Sequence, residues 1–286
     1  RLNLLPEAQK NALKYGVWTS LDRPSQLISG KWWQDALDGK NAFKDGAPCL
    51  GADFAWMGND QSVIICGRGN RPDSIETWPK TKTSTFADLV IERLSKWGQT
   101  GFAGVDCVGP GVGVWDNFID NHSKWVPRIS PCNHKDPSFD DAWATRYEFD
   151  NLRSQMWWKF RDDMEHGRVD LSHLQGKVLP NPDGLGGVIV VGGSEFLHKL
   201  QEEVLAHTYR VRNGKIIIIS KEDLRDAELL GHSPDYADAL VLWNWERDAH
   251  GFGRFEPDSF KSRQDYGGPD AVDNENEGDD YKSALI

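Results

Sequence analysis

The chain has 286 residues, of which 38% are hydrophobic and 27% charged, and a formal net charge of −11. That is enough for one large domain or two small ones with a full-sized core, and no apolar run approaches the roughly 18 residues of a membrane span. The acidic balance argues against a broadly basic, nucleic-acid-binding surface, and no stretch reads as a secretory leader.

The chain opens at Arg1 rather than at Met and is expected to be a piece of a longer protein. Residues 1–50 are expected to form a leading linker segment, with a short helix from Pro6 to Tyr15 stopped by Gly16. The core is expected over 51–250, and it begins with GADFAWMGNDQSVIICGRG (51–69). Ala52 to Trp56 and Ser62 to Arg68 read as strands joined by a Gly-Asn-Asp turn, and a third strand is expected at Asp73 to Trp78. Phe86, Leu89, Val90, Leu94 and Trp97 lie on one helical stripe that also contains Arg93. GFAGVD (101–106) reads as a buried strand, broken by Gly109, Gly111 and Gly113 before a helix near Val114. A short strand is expected at Trp125 to Ile129, then a long helix from Thr145 to His166 stopped by Gly167, and another helix from Phe196 to His207. TYRVRNGKIIIIS (208–220) is a hairpin turning at Asn213-Gly214. The last core helix is expected to start with Ser233 as N-cap and Pro234 in its first position, and to run to about Asn244. The acidic tail, 251–286, is expected to be disordered. From Asp265 onward it holds seven acids and one lysine, so much of the negative charge lies outside the core. Cys49, Cys66, Cys107 and Cys132 form no CxxC pair and read as core thiols of a reducing cytoplasm.

This order of elements describes a mixed α/β sheet with helices on its faces, opening with antiparallel strands, unlike a dinucleotide-binding fold. Three carboxylates within it call for an explanation. Asp53 interrupts an apolar strand, Asp106 ends a buried one where α/β folds place ligands, and Asp238 shares a helix face with Val241, Leu242 and Trp245. None has Lys or Arg beside it in sequence, and an unpaired buried carboxylate is strongly disfavoured. Carboxylates converging from two strands and a helix suit Mg²⁺ or Mn²⁺, and could hold two ions about 3.5–4 Å apart. Such a pair would activate a water on one side of a phosphodiester and stabilise the leaving oxygen on the other. Each acid also has a plain structural reading: Asp53 facing solvent on an edge strand, Asp106 capping the next turn, Asp238 pairing with a distant arginine. Asp60 and Asp235 are accessory candidates, Asp60 as a turn residue and Asp235 sharing the face of Asp238 near the helix start. Arg210, Arg212 and Lys215 on the hairpin, with Lys221 and Arg225 after it, are candidate phosphate contacts, though a solvated hairpin explains them equally well. The glycine run GPGVG (109–113) lacks the Lys-Ser/Thr of a P-loop and reads as a tight turn allowing close approach to Asp106.

Four ordered motifs resemble the nuclease part of the large terminase subunit of tailed bacteriophages. GADFAWMGNDQS (51–62) is similar to the first nuclease motif and VDCVGPGVGVWDNF (105–118) to the second. YEFDNLRSQMWWKFRDDMEHGRV (147–169) looks like the family's long helix with Asn and Arg, and SKEDLRDAELLGHSPDYADALVLW (220–243) resembles the third motif with its Lys, Ser-Pro-Asp and Asp-Ala-Leu. LLPEAQKNALKYGVW (4–18) resembles the segment joining an ATPase domain to the nuclease. The resemblance implies an RNase H-like metal-dependent endonuclease that cuts concatemeric viral DNA during packaging, with Asp53, Asp106 and Asp238 as catalytic acids and Asp60 and Asp235 accessory. It further implies double-stranded DNA, the small terminase subunit, the portal of the procapsid and an ATPase domain of the same polypeptide as partners, in the host bacterial cytoplasm. No P-loop occurs here, and 171–194 is longer and richer in glycine than the family pattern. Two alternatives stay open: another RNase H-like nuclease, such as a junction resolvase or transposase-type enzyme, and a non-catalytic DNA- or capsid-binding module.

Overall fold

The computed structural model describes residues 26–56, 60–138, 148–175, 177–180, 188–191, 194–226 and 229–251. Three strands, β1 (Pro48–Asp53), β2 (Gln61–Arg68) and β3 (Arg71–Pro79), form an antiparallel meander. Helix α2 (Thr83–Lys96) then crosses to β4 (Phe102–Asp106), which lies parallel to β1 on its other side, and β5 (Ile129–Cys132) adds a further parallel strand beyond β4. Strands β7 (Lys177–Pro180) and β8 (Val188–Val191) extend the opposite edge, giving the order β5-β4-β1-β2-β3-β8-β7. This is the expected mixed sheet of the RNase H-like type, antiparallel at its opening and parallel beyond, lengthened by two strands in the glycine-rich region.

β1 and β2 are buried along nearly their whole length, because helices cover both faces of the sheet. The period-two alternation of side chains divides the core in two. Val63, Ile65 and Cys49 pack with α1 (Gly30–Leu37), α4 (Leu152–Glu165) and α7 (Asp235–Gly251), whereas Ile64, Cys66 and Leu50 pack towards α2 and α3 (Val112–Asn121). Leu27, Ile28 and Trp33 belong to the first of these clusters, so residues just before 50 are part of the folded core. A second, three-stranded sheet pairs β6 (Glu148–Phe149) with the hairpin of β10 (Lys215–Ile218) and β9 (Tyr209–Arg212). Asn213 and Gly214 turn that hairpin with φ of 53° and 81°, as the Asn-Gly signal predicts.

Helix α7 lies close against β1. A Cβ on Gly51 would collide with Ala239 O and Trp243 N, so only glycine allows this approach. The helix continues to Gly251, beyond the expected end at Asn244. Three further expectations are corrected. Trp125 lies in a 3₁₀ helix (Ser123–Arg128) that contains Pro127, and the strand begins only at Ile129. Helix α4 begins at Leu152, where the Asn151 side chain accepts the Ser154 N–H at 2.9 Å and fixes the start. β1 ends at Asp53 instead of Trp56. The helix expected at Pro6 to Tyr15, the Met57–Asn59 part of the first turn and the tail after Gly251 lie outside the described residues.

Candidate active site

Asp53 and Asp106 are the last residues of two adjacent parallel strands, with Ala52 opposite Val105 in the register just before them. Both carboxylates therefore leave the sheet at the same edge, at the carboxyl ends of β1 and β4. Asp238, in the first turn of α7, is brought over them by the close packing at Gly51. Their exposures are only 4%, 5% and 2%. The hairpin leads directly into α6 (Lys221–Leu224), capped by Ser220, whose Oγ accepts the Asp223 N–H at 3.0 Å. That short helix delivers Lys221 into the cluster. Its Nζ lies 3.3 Å from Asp53 Oδ2, 3.0 Å from Asp106 Oδ2 and 3.0 Å from Asp238 Oδ2.

Asp106 and Asp238 each spend one oxygen on the surrounding structure and turn the other into the cluster. Asp106 Oδ1 accepts the Val108 N–H at 2.9 Å, which is the turn cap that its sequence position allows. Asp238 Oδ1 accepts from Trp157 Nε1 at 3.2 Å and lies 3.5 Å from Arg153 Nη2, a distant arginine from α4. Asp238 Oδ2 is buried and accepts no hydrogen bond among the described residues, although Lys221 stands at ion-pair distance. Gly111, which opens α3, presses on the Asp106 carbonyl so tightly that a Cβ there would collide with it.

Burial, the largest influence on Asp53, pushes its carboxyl well above the ordinary range, and the neighbouring acids add to this against the pull of Lys221. Burial acts the same way on Asp106 and Asp238, but there it is outweighed. His134 and Lys221 hold Asp106 below the ordinary range, and Lys221 and Arg153 hold Asp238 below it. Burial alone would lower Lys221, yet the three carboxylates raise it well above the usual lysine value. His134 lies 3.8 Å from Asp106 Oδ2, and burial lowers its imidazole below the ordinary histidine value against the pull of that carboxylate. Among the described residues, three carboxyl groups thus face two permanent cations, Lys221 and Arg153.

Asp235 is buried beside this cluster, its Oδ2 accepting the Gln61 N–H at 3.1 Å, and burial raises its carboxyl to about 6. Asp60 stands further out and pairs with Arg225 at 3.3 Å. Arg210, Arg212 and Lys215 are exposed on one face of the hairpin, with Arg212 directly opposite Lys215. Lys221 was expected among the phosphate contacts, but its ammonium lies within the carboxylate cluster. Arg153 and His134 were not singled out from sequence; both reach the acids only through tertiary packing.

A donor set made only of carboxylates, with one buried oxygen lacking a hydrogen bond, fits a hard divalent cation. Elsewhere among the described residues, ligand atoms of Asp162, Glu165 and His166 at the end of α4 lie within 4.8 Å of one another. They are partly exposed and already engaged by Arg161 and Arg168.

No protein-family model matches the chain, and no curated protein matches it. Solved structures do. A mutant gp2c of the large terminase subunit from bacteriophage Sf6 with calcium has a TM-score of 0.56 and 19% identity, covering 76% of this chain and 98% of that one. The nuclease domain of the large terminase subunit gp2 of bacterial virus Sf6 has a TM-score of 0.55 and 20% identity, covering 76% and 97%. A mutant of that nuclease domain with manganese and beta-thujaplicinol has the same TM-score, 0.55, and 20% identity over the same shares, 76% and 97%. At these identities the likeness is one of fold.

Proposed function

We propose that this chain is a metal-dependent DNA endonuclease domain of the terminase large-subunit type. The carrying observation is the convergence of Asp53, Asp106 and Asp238 from three separate elements into one buried cluster around Lys221. Folding alone does not favour such a cluster, because each buried carboxylate carries a desolvation cost that sharing few counter-charges offsets poorly. The same three positions match the nuclease motifs that the sequence resembles, and solved structures of the same fold include terminase nuclease domains.

In this reading Asp53, Asp106 and Asp238 hold Mg²⁺ or Mn²⁺, two ions in all, with Asp235 and Asp60 as flanking acids. When bound, the cations supply Lewis-acid activation of a water and stabilise charge on the leaving oxygen of a phosphodiester. The protein's own part is positional. The strand ends fix Asp53 and Asp106, the packing of α7 fixes Asp238, and Lys221 neutralises the acids. Arg210, Arg212 and Lys215 share one exposed hairpin face, where two like charges stand directly opposite. Like charges so placed repel, an arrangement that suits the phosphates of double-stranded DNA, with Arg225 beside them. By resemblance, the DNA is concatemeric viral DNA cut during packaging in the host cytoplasm at the procapsid. The small terminase subunit, the portal and an ATPase domain of the same polypeptide are the expected partners.

The test is cleavage of supercoiled plasmid with Mn²⁺ or Mg²⁺. Asp53→Asn should remove nicking and linearisation, by at least about a hundredfold on the scale of lost electrostatic stabilisation, while its circular dichroism matches the parent. Equal cleavage by the variant would remove Asp53 from the site and the reading with it.

A further inference from the structure

Asp238 is served by a buried apparatus on the side away from the cluster. Trp157 Nε1–H donates to its Oδ1 at 3.2 Å and Arg153 Nη2 lies 3.5 Å from the same oxygen. Arg153 is itself fixed at two further points: Nη1 donates to the Ile219 carbonyl at 2.6 Å and Nη2 meets His207 Nε2 at 3.1 Å. The tautomer of His207 follows from its other nitrogen, since Nδ1 is 2.8 Å from the Glu203 carbonyl and must carry the proton. Nε2 is then an acceptor, as the guanidinium requires. The His207 ring also stacks on Trp157 at 3.6 Å between centroids, which holds the indole in place. Arg153, Trp157, His207 and Asp238 are all at or below 7% exposure. Water therefore has little access to replace any of these bonds.

We infer that Trp157 and Arg153 are positioning residues that clamp Oδ1 of Asp238, so that this aspartate presents Oδ2 alone to the cation site. The inference rests on the reading of the cluster as a metal site and adds a constraint on which metal it prefers. A carboxylate held by one oxygen is a one-point ligand, which suits the small, near-octahedral Mg²⁺ and the Mn²⁺ ion, smaller than Ca²⁺, that takes the same oxygen ligands. The larger Ca²⁺ accepts two-point carboxylates and irregular shells. Releasing Oδ1 would let the carboxylate turn and offer both oxygens. The clamp thus acts as a selectivity device at a distance from the ions, the role that partners of metal ligands play elsewhere.

The probe is Mn²⁺ binding to the whole chain by isothermal titration calorimetry, with Ca²⁺ titrated separately. Trp157→Phe keeps a ring to stack on His207 but removes the N–H donor. It should weaken Mn²⁺ about tenfold and Ca²⁺ much less, so that the ratio of the two affinities falls, with near-parental melting temperature. Arg153→Lys keeps a charge but loses the fork that reaches Ile219, His207 and Asp238 together, and should shift the ratio the same way. A purely structural role would lower both affinities equally or lower the melting temperature without changing the ratio, and either result overturns the clamp. If the parent binds no Mn²⁺, the metal reading fails and the clamp with it. If the parent binds Mn²⁺ and both variants keep its selectivity, only the clamp fails.

Discussion

The ammonium of Lys221 touches the same three oxygens that a divalent cation would take, at 3.0–3.3 Å. It neutralises the acids when no metal is bound and opposes a metal that approaches them. An ammonium and a divalent cation at about 4 Å repel by about 8 kcal/mol at an effective dielectric of 20, and a flexible lysine relieves most of this by moving aside. Lys221→Met keeps the apolar stem and removes the charge. Mn²⁺ should then bind about tenfold tighter, equivalent to about 1.4 kcal/mol. Without metal the same variant should melt at lower temperature, because buried acids lose their counter-charge. Calorimetry and thermal unfolding with and without Mn²⁺ check both limbs, and unchanged affinity would deny any competition. At this scale the acids were legible, since each breaks an apolar pattern that propensity alone would have completed. The identities of their partners were not. Lys221 lies 168 residues from Asp53 and Trp157 lies 81 from Asp238, and no local periodicity encodes such pairs.

Elements whose ends depend on local chemistry were readable, and those whose ends depend on distant partners were not. The Asn213-Gly214 turn carries its own conformational signal. By contrast, α7 runs past Asn244 because its last turns are tied by buried polar groups: Glu246 accepts the Ser130 Oγ–H at 2.6 Å and Arg247 pairs with Asp163 at 3.2 Å. Apolar spacing does not register such bonds. The start of α7 follows the same logic. Sequence assigns the cap to Ser233, yet Glu203 of α5 (Ser194–Ala206) accepts the N–H groups of Tyr236 and Ala237 at 2.9 and 3.0 Å. Burial, the largest influence, raises the Glu203 carboxyl to about 7, and its hydrogen bond to His232 raises that imidazole above its ordinary value. Both groups hold protons more tightly when folded than when unfolded, so their contribution to stability is full at low pH and fades as pH rises. For Glu203 the loss spans about pH 4.5 to 7. The melting temperature should accordingly fall across that window in the parent, and Glu203→Gln should flatten the fall. A variant that keeps the parental pH profile would assign the slope to other groups.

Over the whole molecule, the net charge of −11 opposes DNA at long range. On the proposed reading, attraction has to come from a short-range strip and from cations held among the acids, since a Debye length of about 10 Å at 0.1 M salt screens the remainder. The exposed face carrying Arg210, Arg212 and Lys215 is the strongest candidate strip, because its hairpin leads directly into the short helix that delivers Lys221 to the cluster. Each phosphate it neutralises releases condensed counterions, and the logarithm of the affinity should fall with the logarithm of salt by about 0.9 per contact on duplex DNA. In an Asp53→Asn background, which on the proposed reading binds without cutting, Arg212→Glu would remove one contact and place an acid beside the others. Affinity for a fluorescent duplex should fall at least about tenfold at low salt, and the slope should shrink by about one. Sequence preference should not change, because contacts to phosphate carry register and not base identity. If anisotropy titrations over a range of KCl return the parental slope, the hairpin is a solvated surface and the DNA lies along another face of the fold.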